Sequence, residues 1–465
     1  MARSEQDTTT AKRLLIASVL VVMTASFLTS QIQSSWGHVH VQSVKIPTQN
    51  GQWVVADWFK PRSATADNPA PFIVVVPGFQ RSKEALSNIA LELARRGMVV
   101  ASIDPYAQGA SSSSLSRRAA TTEGYGMFAV VDYAAASENL NYIDKSRIGA
   151  TGHSAGGNAA IRGANYFARR ELETGQPNPL HSVFVSGYVL TLTDEVLGPV
   201  RSNVGMSYAY YDEGAYRNEL GNGDMRRAPE ALRLVNSGLA SGPIQEVELG
   251  RYYGSVDDRT LRVVHNERVL HPFQPYTIEP TANQIEYFET VFDVQSGLSS
   301  RDQVWPWKEF LSLVSLIAAL VEVVPFGRLL LAVPYFRPLV HPVPEAPQGP
   351  RGGGRVLFWT LLVVATLIAC FSFIPLAELS QRLFVAASSR EMTWFFPQRM
   401  NNAVMMWAVL NGSVAFLFFW VSYRFGGKGK GASPEGWGVK VTGRELWRTF
   451  LAAGTIFLFF YALLF

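Results

Sequence analysis

The stretch Arg147-Ile148-Gly149-Ala150-Thr151-Gly152-His153-Ser154-Ala155-Gly156-Gly157 decides how this chain is read. Residues 147–151 form a short strand-like run, and residues 157–170 carry apolar positions at helical spacing. Between them, Gly152-His153-Ser154-Ala155-Gly156 matches G-x-S-x-G. The string alone is weak, because short patterns of common residues recur by chance. At a strand-to-helix junction it carries more weight. A sharp turn there lifts a serine into a strained, exposed position, and side chains at the glycine positions would collide with the flanking strand and helix. A Gly-rich helix entry capped by a serine is the plainer alternative.

Working outward, residues 39–47 and 52–59 alternate apolar and polar positions around Gln49-Asn50-Gly51, which is a hairpin signal. Phe72-Ile73-Val74-Val75-Val76 is a continuous apolar run, as in a strand buried on both faces. A helix is expected over residues 83–96, a strand over 98–103 and a helix over 123–139. Beyond the central stretch, strands are expected at 182–186, 203–209 and 261–265, and a helix from about 281 to 292. A hairpin feeding alternating strands and helices predicts an α/β fold, a mostly parallel, doubly wound sheet with helices on both faces. Residues 214–260 read as a polar insertion, a lid or pocket wall, although an ordinary long loop has the same composition.

With Val76-Pro77-Gly78-Phe79 after one buried strand, Asp104-Pro105-Tyr106-Ala107-Gln108-Gly109-Ala110-Ser111 after the next and the serine turn after the third, the sequence resembles the α/β-hydrolase superfamily. The resemblance covers roughly residues 50–295, and within the superfamily it points to bacterial membrane-anchored hydrolases of the esterase and dienelactone-hydrolase type. It implies the α/β-hydrolase fold and a serine hydrolase acting on carboxylic esters or related acyl compounds through an acyl-enzyme. Pro77 stands where many members have histidine. That departure leaves the chemistry intact, since the group needed there is a main-chain donor.

A serine hydroxyl needs an imidazole to take its proton and a carboxylate to fix the imidazole tautomer. The resemblance implies the chain order serine, acid, histidine. With Ser154 as nucleophile, the histidines that follow are His181, His265, His271 and His341. His181 comes too early, His265 falls within an expected strand, and His341 lies in a linker between apolar segments. His271, after the last strand and before a helix, is the expected base. Asp212, directly after the strand at 203–209, is the expected acid, with Glu213, Asp257 and Asp258 as alternatives. A solvated Asp-Glu loop is the plain reading of the same pair. Asp104 is expected to order its own loop. The main-chain N–H groups of Ala155 and Phe79 are the expected oxyanion donors. Peptidase or acyltransferase chemistry would use the same residues, and a non-catalytic sensing domain on a membrane bundle is the alternative from another class.

The chain has 465 residues, a net charge of +4 and 48% hydrophobic residues. Its apolar excess falls in blocks, and the expected division is a tail at 1–12, an anchor at 13–32, a hydrolase domain at 37–300 and about four transmembrane helices within 305–465. The expected spans after the domain are 309–334, 356–376, 402–422 and 446–465. Arg337, Arg351 and Arg355 flank one side, as do Lys428, Lys430, Lys440, Arg444 and Arg448, and so do Arg3, Lys12 and Arg13 of the tail. The positive-inside bias therefore places the domain on the extracytoplasmic side of what is expected to be the plasma membrane. Arg382, Arg390 and Arg399 weaken that contrast. Trp305 and Trp307, with Trp394, Phe395 and Phe396, are expected in an outer aromatic belt, and Trp447 in an inner one. Glu322 lies in an apolar segment, where a local ion pair with Arg328 beside Pro325 is the expectation. The one cysteine, Cys370, rules out an internal disulfide. No basic stripe points to nucleic acid, no metal or phosphate-loop motif points to a cofactor, and none is expected. The expected partners are a small or lipid-like ester and the bilayer itself. The last span runs to Phe465 without a polar flank, which suggests a longer parent chain.

Overall fold

In the computed structural model, residues 2–114, 118–341, 351–388, 399–427, 434 and 443–464 are described. They fall into two compact units, one of residues 31–306 with 384–399, and one of residues 1–30, 307–383 and 400–465.

The first unit is built on an eight-stranded sheet in the order β1-β2-β4-β3-β5-β6-β7-β8. Its strands are β1 (Val39–Pro47), β2 (Trp53–Pro61), β3 (Ala70–Val76), β4 (Val99–Ile103), β5 (Ile143–His153), β6 (Leu180–Ser186), β7 (Asn203–Ala209) and β8 (Arg262–Glu267). β1 and β2 form the expected hairpin, with Gly51 at φ +75° in its turn, and β2 joins β4 antiparallel. From β4 to β8 every neighbour is parallel. β3, β4 and β7 are buried along their whole length, as the unbroken apolar run of β3 requires, although β4 carries Ser102 and β7 carries Asn203 and Ser207.

Two boundaries differ from expectation for local reasons. β5 begins at Ile143, because Ala70 pairs with Ile143 across a register shift that the polar residues Asp144 and Ser146 conceal in the sequence. The helix expected over 123–139 is confined to Met127–Ala136, since Tyr125 (φ 56°) and Gly126 (φ 99°) adopt left-handed conformations before it. The stretch from 214 to 260 is also more than a lid. Its helix Pro229–Asn236 and the segments around it send Met225, Ala228, Ala231, Leu234, Val235 and Val247 into the main core.

The end of this unit is pinned by buried charge. Glu92 accepts from the N–H groups of Val304 and Trp305 at 2.7 and 3.1 Å and pairs with Arg95 and Arg96. Arg96 donates to the carbonyls of Ser299 and Asp302 at 2.6 and 3.0 Å. Trp305 is consequently buried, with its indole N–H on Gln303, and is not an interfacial belt residue. Trp307 is exposed. Trp394, Phe395, Phe396, Arg390, Lys428, Lys430 and Lys440 lie outside the described residues.

The helices Thr8–Gln33, Trp305–Ala332, Gly353–Leu383, Asn401–Phe425 and Gly443–Leu463 are long and apolar enough to cross a membrane, five in all among the described residues. Within the second unit Val22, Ala318 and Ala319 pack together with Phe460, and Ser26 meets Ser315 at 3.2 Å. The carboxylate of Glu322 is fully buried and accepts no hydrogen bond among the described residues. The expected ion pair with Arg328 is therefore not one of its contacts.

At the centre of the sheet the helix Ala155–Thr174 enters against the end of β3. A Cβ on Gly156 would stand 1.9 Å from the Val76 carbonyl oxygen, and one on Gly152 would stand 2.5 Å from the same atom. Main chain cannot move aside cheaply, so Gly156→Ala should lower stability by about 1–3 kcal/mol or prevent folding. A wild-type thermal midpoint for Gly156→Ala, with β3 undisturbed, would contradict this packing.

Candidate active site

Ser154 sits between β5 and the helix Ala155–Thr174 with φ 58° and ψ −118°. A non-glycine residue in that region stores on the order of 1–3 kcal/mol of strain, held in place by its surroundings. The restraints are visible. The Ser154 N–H donates to the Ser186 carbonyl at 2.8 Å, the Asn158 N–H donates to the Ser154 carbonyl at 3.0 Å, and main chain lies within 2.8 Å of where a Cβ would stand on Gly152, Gly156 or Gly157.

The acid and the imidazole arrive from neighbouring strands. β7 ends at Ala209 and β8 at Glu267, and the loops that follow are stitched together by Tyr210 N–H to the Glu267 carbonyl (2.7 Å) and Tyr211 N–H to the Val269 carbonyl (3.1 Å). This brings Asp212 to the six-residue 3₁₀ helix His271–Tyr276. Nδ1 of His271 meets Oδ2 of Asp212 at 2.9 Å, and the Gly214 N–H donates to Oδ1 at 2.6 Å. Burial pushes the Asp212 carboxyl up, but the His271 and Gly214 hydrogen bonds outweigh it and hold the group below its ordinary value. Asp212 is thus an anion fixed on one nitrogen of His271.

Ser154, Asp212 and His271 line one open cavity of about 670 Å³ together with Phe79 and Ala155. Ala155 opens its helix, so its N–H has no intrahelical acceptor and lies at the positive end of the helix dipole. Tyr125, Tyr188, Val189, Leu190, Tyr208 and Tyr216 supply apolar wall, and Asn158, Glu213, Arg217 and Asn218 supply polar edge. The volume is that of a site for a small organic molecule.

The other sequence candidates lie elsewhere. His265 is buried in β8 against Phe184, and His181 at the start of β6 bonds Ser182 and packs on Phe292. Neither lines the cavity, and neither do Asp257 and Asp258, while Glu213 stands at its edge. Asp104 orders its own loop, accepting from the N–H groups of Lys83 and Ala110 at 2.9 and 3.0 Å. Among the described residues no group of three or more His, Cys, Asp or Glu is placed to hold a metal ion. Sequence reasoning passed over His153, whose ring lies 4.5 Å from that of His271. Its signal was in plain view, inside the serine motif.

A protein-family profile described as PET hydrolase-like matches residues 25–186. No curated protein matches the chain. Similar solved structures include an esterase of Pyrococcus furiosus at 12% identity, covering 55% of this chain and 93% of that one with a TM-score of 0.37. A hyperthermophilic esterase of Pyrobaculum calidifontis shares 15% identity over 62% of this chain and 94% of its own, with a TM-score of 0.35. A dienelactone hydrolase of Anabaena variabilis shares 13% identity over 55% and 97%, with a TM-score of 0.34.

Two buried histidines, His153 and His265, and the half-buried His181 give this unit a predictable response to acid. Burial lowers His153 to about 3 and His181 and His265 to about 4, against 6.5 for the unfolded chain. Between those values the unfolded state binds protons that the folded state refuses. The stability they contribute is complete above pH 6.5 and falls as pH drops, by up to about 1.4 kcal/mol per pH unit for each histidine. The thermal midpoint should decline steadily from pH 7 to pH 5, and less steeply in His265→Asn. A flat profile would contradict the burial of these rings.

Proposed function

We propose that this chain, which has the α/β-hydrolase fold, is a membrane-bound serine hydrolase that cleaves carboxylic esters through an acyl-enzyme on Ser154. The observation that carries the reading is a hydrogen-bonded His271–Asp212 pair in the same cavity as a serine held at φ 58°. Strain at the turn, a positioned imidazole and an anion behind it are the parts that nucleophilic acyl transfer needs.

In the proposed reaction His271 takes the proton of the Ser154 hydroxyl as its oxygen attacks the ester carbonyl. The oxyanion of the tetrahedral intermediate is met by the N–H groups of Ala155 and Phe79, and loss of one such donor costs about 3 kcal/mol. His271 then delivers its proton to the departing alcohol. Water, deprotonated by the same imidazole, releases the acid and restores Ser154. Asp212 keeps the Nδ1 proton in place and offsets the imidazolium charge as it forms.

The five apolar helices support an integral membrane protein, and the basic residues Arg337, Arg351 and Arg355, with Arg444 and Arg448, favour the cytoplasmic side for their flanks. On that reading the hydrolase unit faces the extracytoplasmic side of the plasma membrane and takes small or lipid-like esters.

Ser154→Ala should abolish labelling by a fluorophosphonate and lower nitrophenyl-ester turnover by about 10⁶-fold, and Asp212→Asn should lower kcat by about 10⁴-fold. Unchanged turnover in Ser154→Ala would remove the assignment. In sealed, outside-out vesicles a membrane-impermeant fluorophosphonate should label Ser154 without detergent. Labelling only after permeabilisation would reverse the topology.

A further inference from the structure

The 3₁₀ helix that bears His271 turns a second side chain the same way. In such a helix residues three apart eclipse one another, so Gln274 lies on the face of His271, one turn on. Gln274 is completely buried. Its Nε2 donates to Ser207 Oγ at 2.7 Å and lies 3.4 Å from Glu267. Glu267, itself buried, accepts from Ser207 at 2.8 and 3.0 Å and from Asn283 at 2.7 Å. An amide anchored to the ends of β7 and β8 thus holds the helix whose first residue is His271.

The other end of that amide points at the serine turn. A Cβ on Gly187 would lie 2.7 Å from His153 Nε2 and 2.9 Å from Gln274 Oε1, so the two atoms converge on one point. Both are buried, and neither has a hydrogen-bond partner among the described residues. They border a cavity of about 20 Å³, room for a single water. The His153 ring also lies under that of His271 at 4.5 Å. His153 is covalently next to Ser154, and Gln274 is one helical turn from His271. Both side chains border the same small cavity, so the segments that carry the two reacting groups approach each other there.

We infer that Gln274 is a positioning residue for the His271 imidazole, fixing the 3₁₀ helix on Ser207 and Glu267 and setting it against His153 beneath the nucleophile. This rests on the reading of Ser154 and His271 as nucleophile and base. Nothing in it requires Gln274 to touch substrate. A core glutamine that only satisfies its neighbours would affect stability, whereas a positioning residue affects the chemical step and leaves substrate affinity alone.

Gln274→Met keeps length and burial while removing both polar ends. Per folded molecule, its kcat for a nitrophenyl ester and its rate of fluorophosphonate labelling should fall by about 10- to 100-fold with KM little changed, as expected for misplacement of a reacting group. His153→Phe, which retains a ring under His271, should show a smaller loss of the same kind. If Gln274→Met lowers the thermal midpoint but keeps wild-type kcat and labelling rate, the inference is overturned while the assignment of Ser154 stands. Should Gln274→Met not fold, His153→Phe decides by the same measure, and wild-type kcat there overturns the inference. A wild-type chain that takes no label overturns both readings together.

Discussion

The structure depends on one close approach, the main chain of Gly156 against the Val76 carbonyl at the end of β3. With only a hydrogen at that position, the helix Ala155–Thr174 packs onto the strand ends closely enough to force Ser154 into a left-handed conformation. Everything at the site is arranged around that turn. Gly78 lies where an added Cβ would be 3.5 Å from the Ser154 Cβ, so the loop bearing Phe79 passes beside the hydroxyl. The loops after β7 and β8 then complete the cavity from the other side.

The site also illustrates how one burial environment yields opposite electrostatic outcomes. Asp212 is buried yet ionised, because it accepts two short hydrogen bonds. Glu267, four residues before His271, receives comparable donors but lies deeper, and burial raises its carboxyl. The first serves as a fixed anion beside the imidazole and the second as an anchor for the neighbouring amide. His153 is held neutral by burial beside His271. A neutral ring there adds no positive charge against an imidazolium forming above it.

Much of this was legible in the sequence, for physical reasons. A strand buried on both faces, such as β3, announces itself as an unbroken apolar run, and glycines on either side of a serine at a strand end mark a tight turn. The resemblance pointed to Asp212 and His271 in the loops after β7 and β8, and the structure brings their side chains to 2.9 Å. What stayed hidden depends on contacts far apart in sequence. The pairing of Ala70 with Ile143, the packing of the 225–235 region into the core, the burial of Trp305 by Glu92 and the shared cavity of Gln274 and His153 leave no periodic trace. The expected pairing of Glu322 with Arg328 failed for a reason the spacing does carry, since residues six apart lie about 120° from each other around a helix.

In the proposed reaction Ser154 carries the acyl group during turnover. Acid quenching of the protein during steady-state hydrolysis of a slow nitrophenyl ester, followed by peptide mass mapping, tests it directly. An acyl increment is expected on the peptide containing Ser154, at a stoichiometry approaching one when deacylation limits the rate. Turnover with that peptide unmodified, or with the acyl group on another residue, would contradict it.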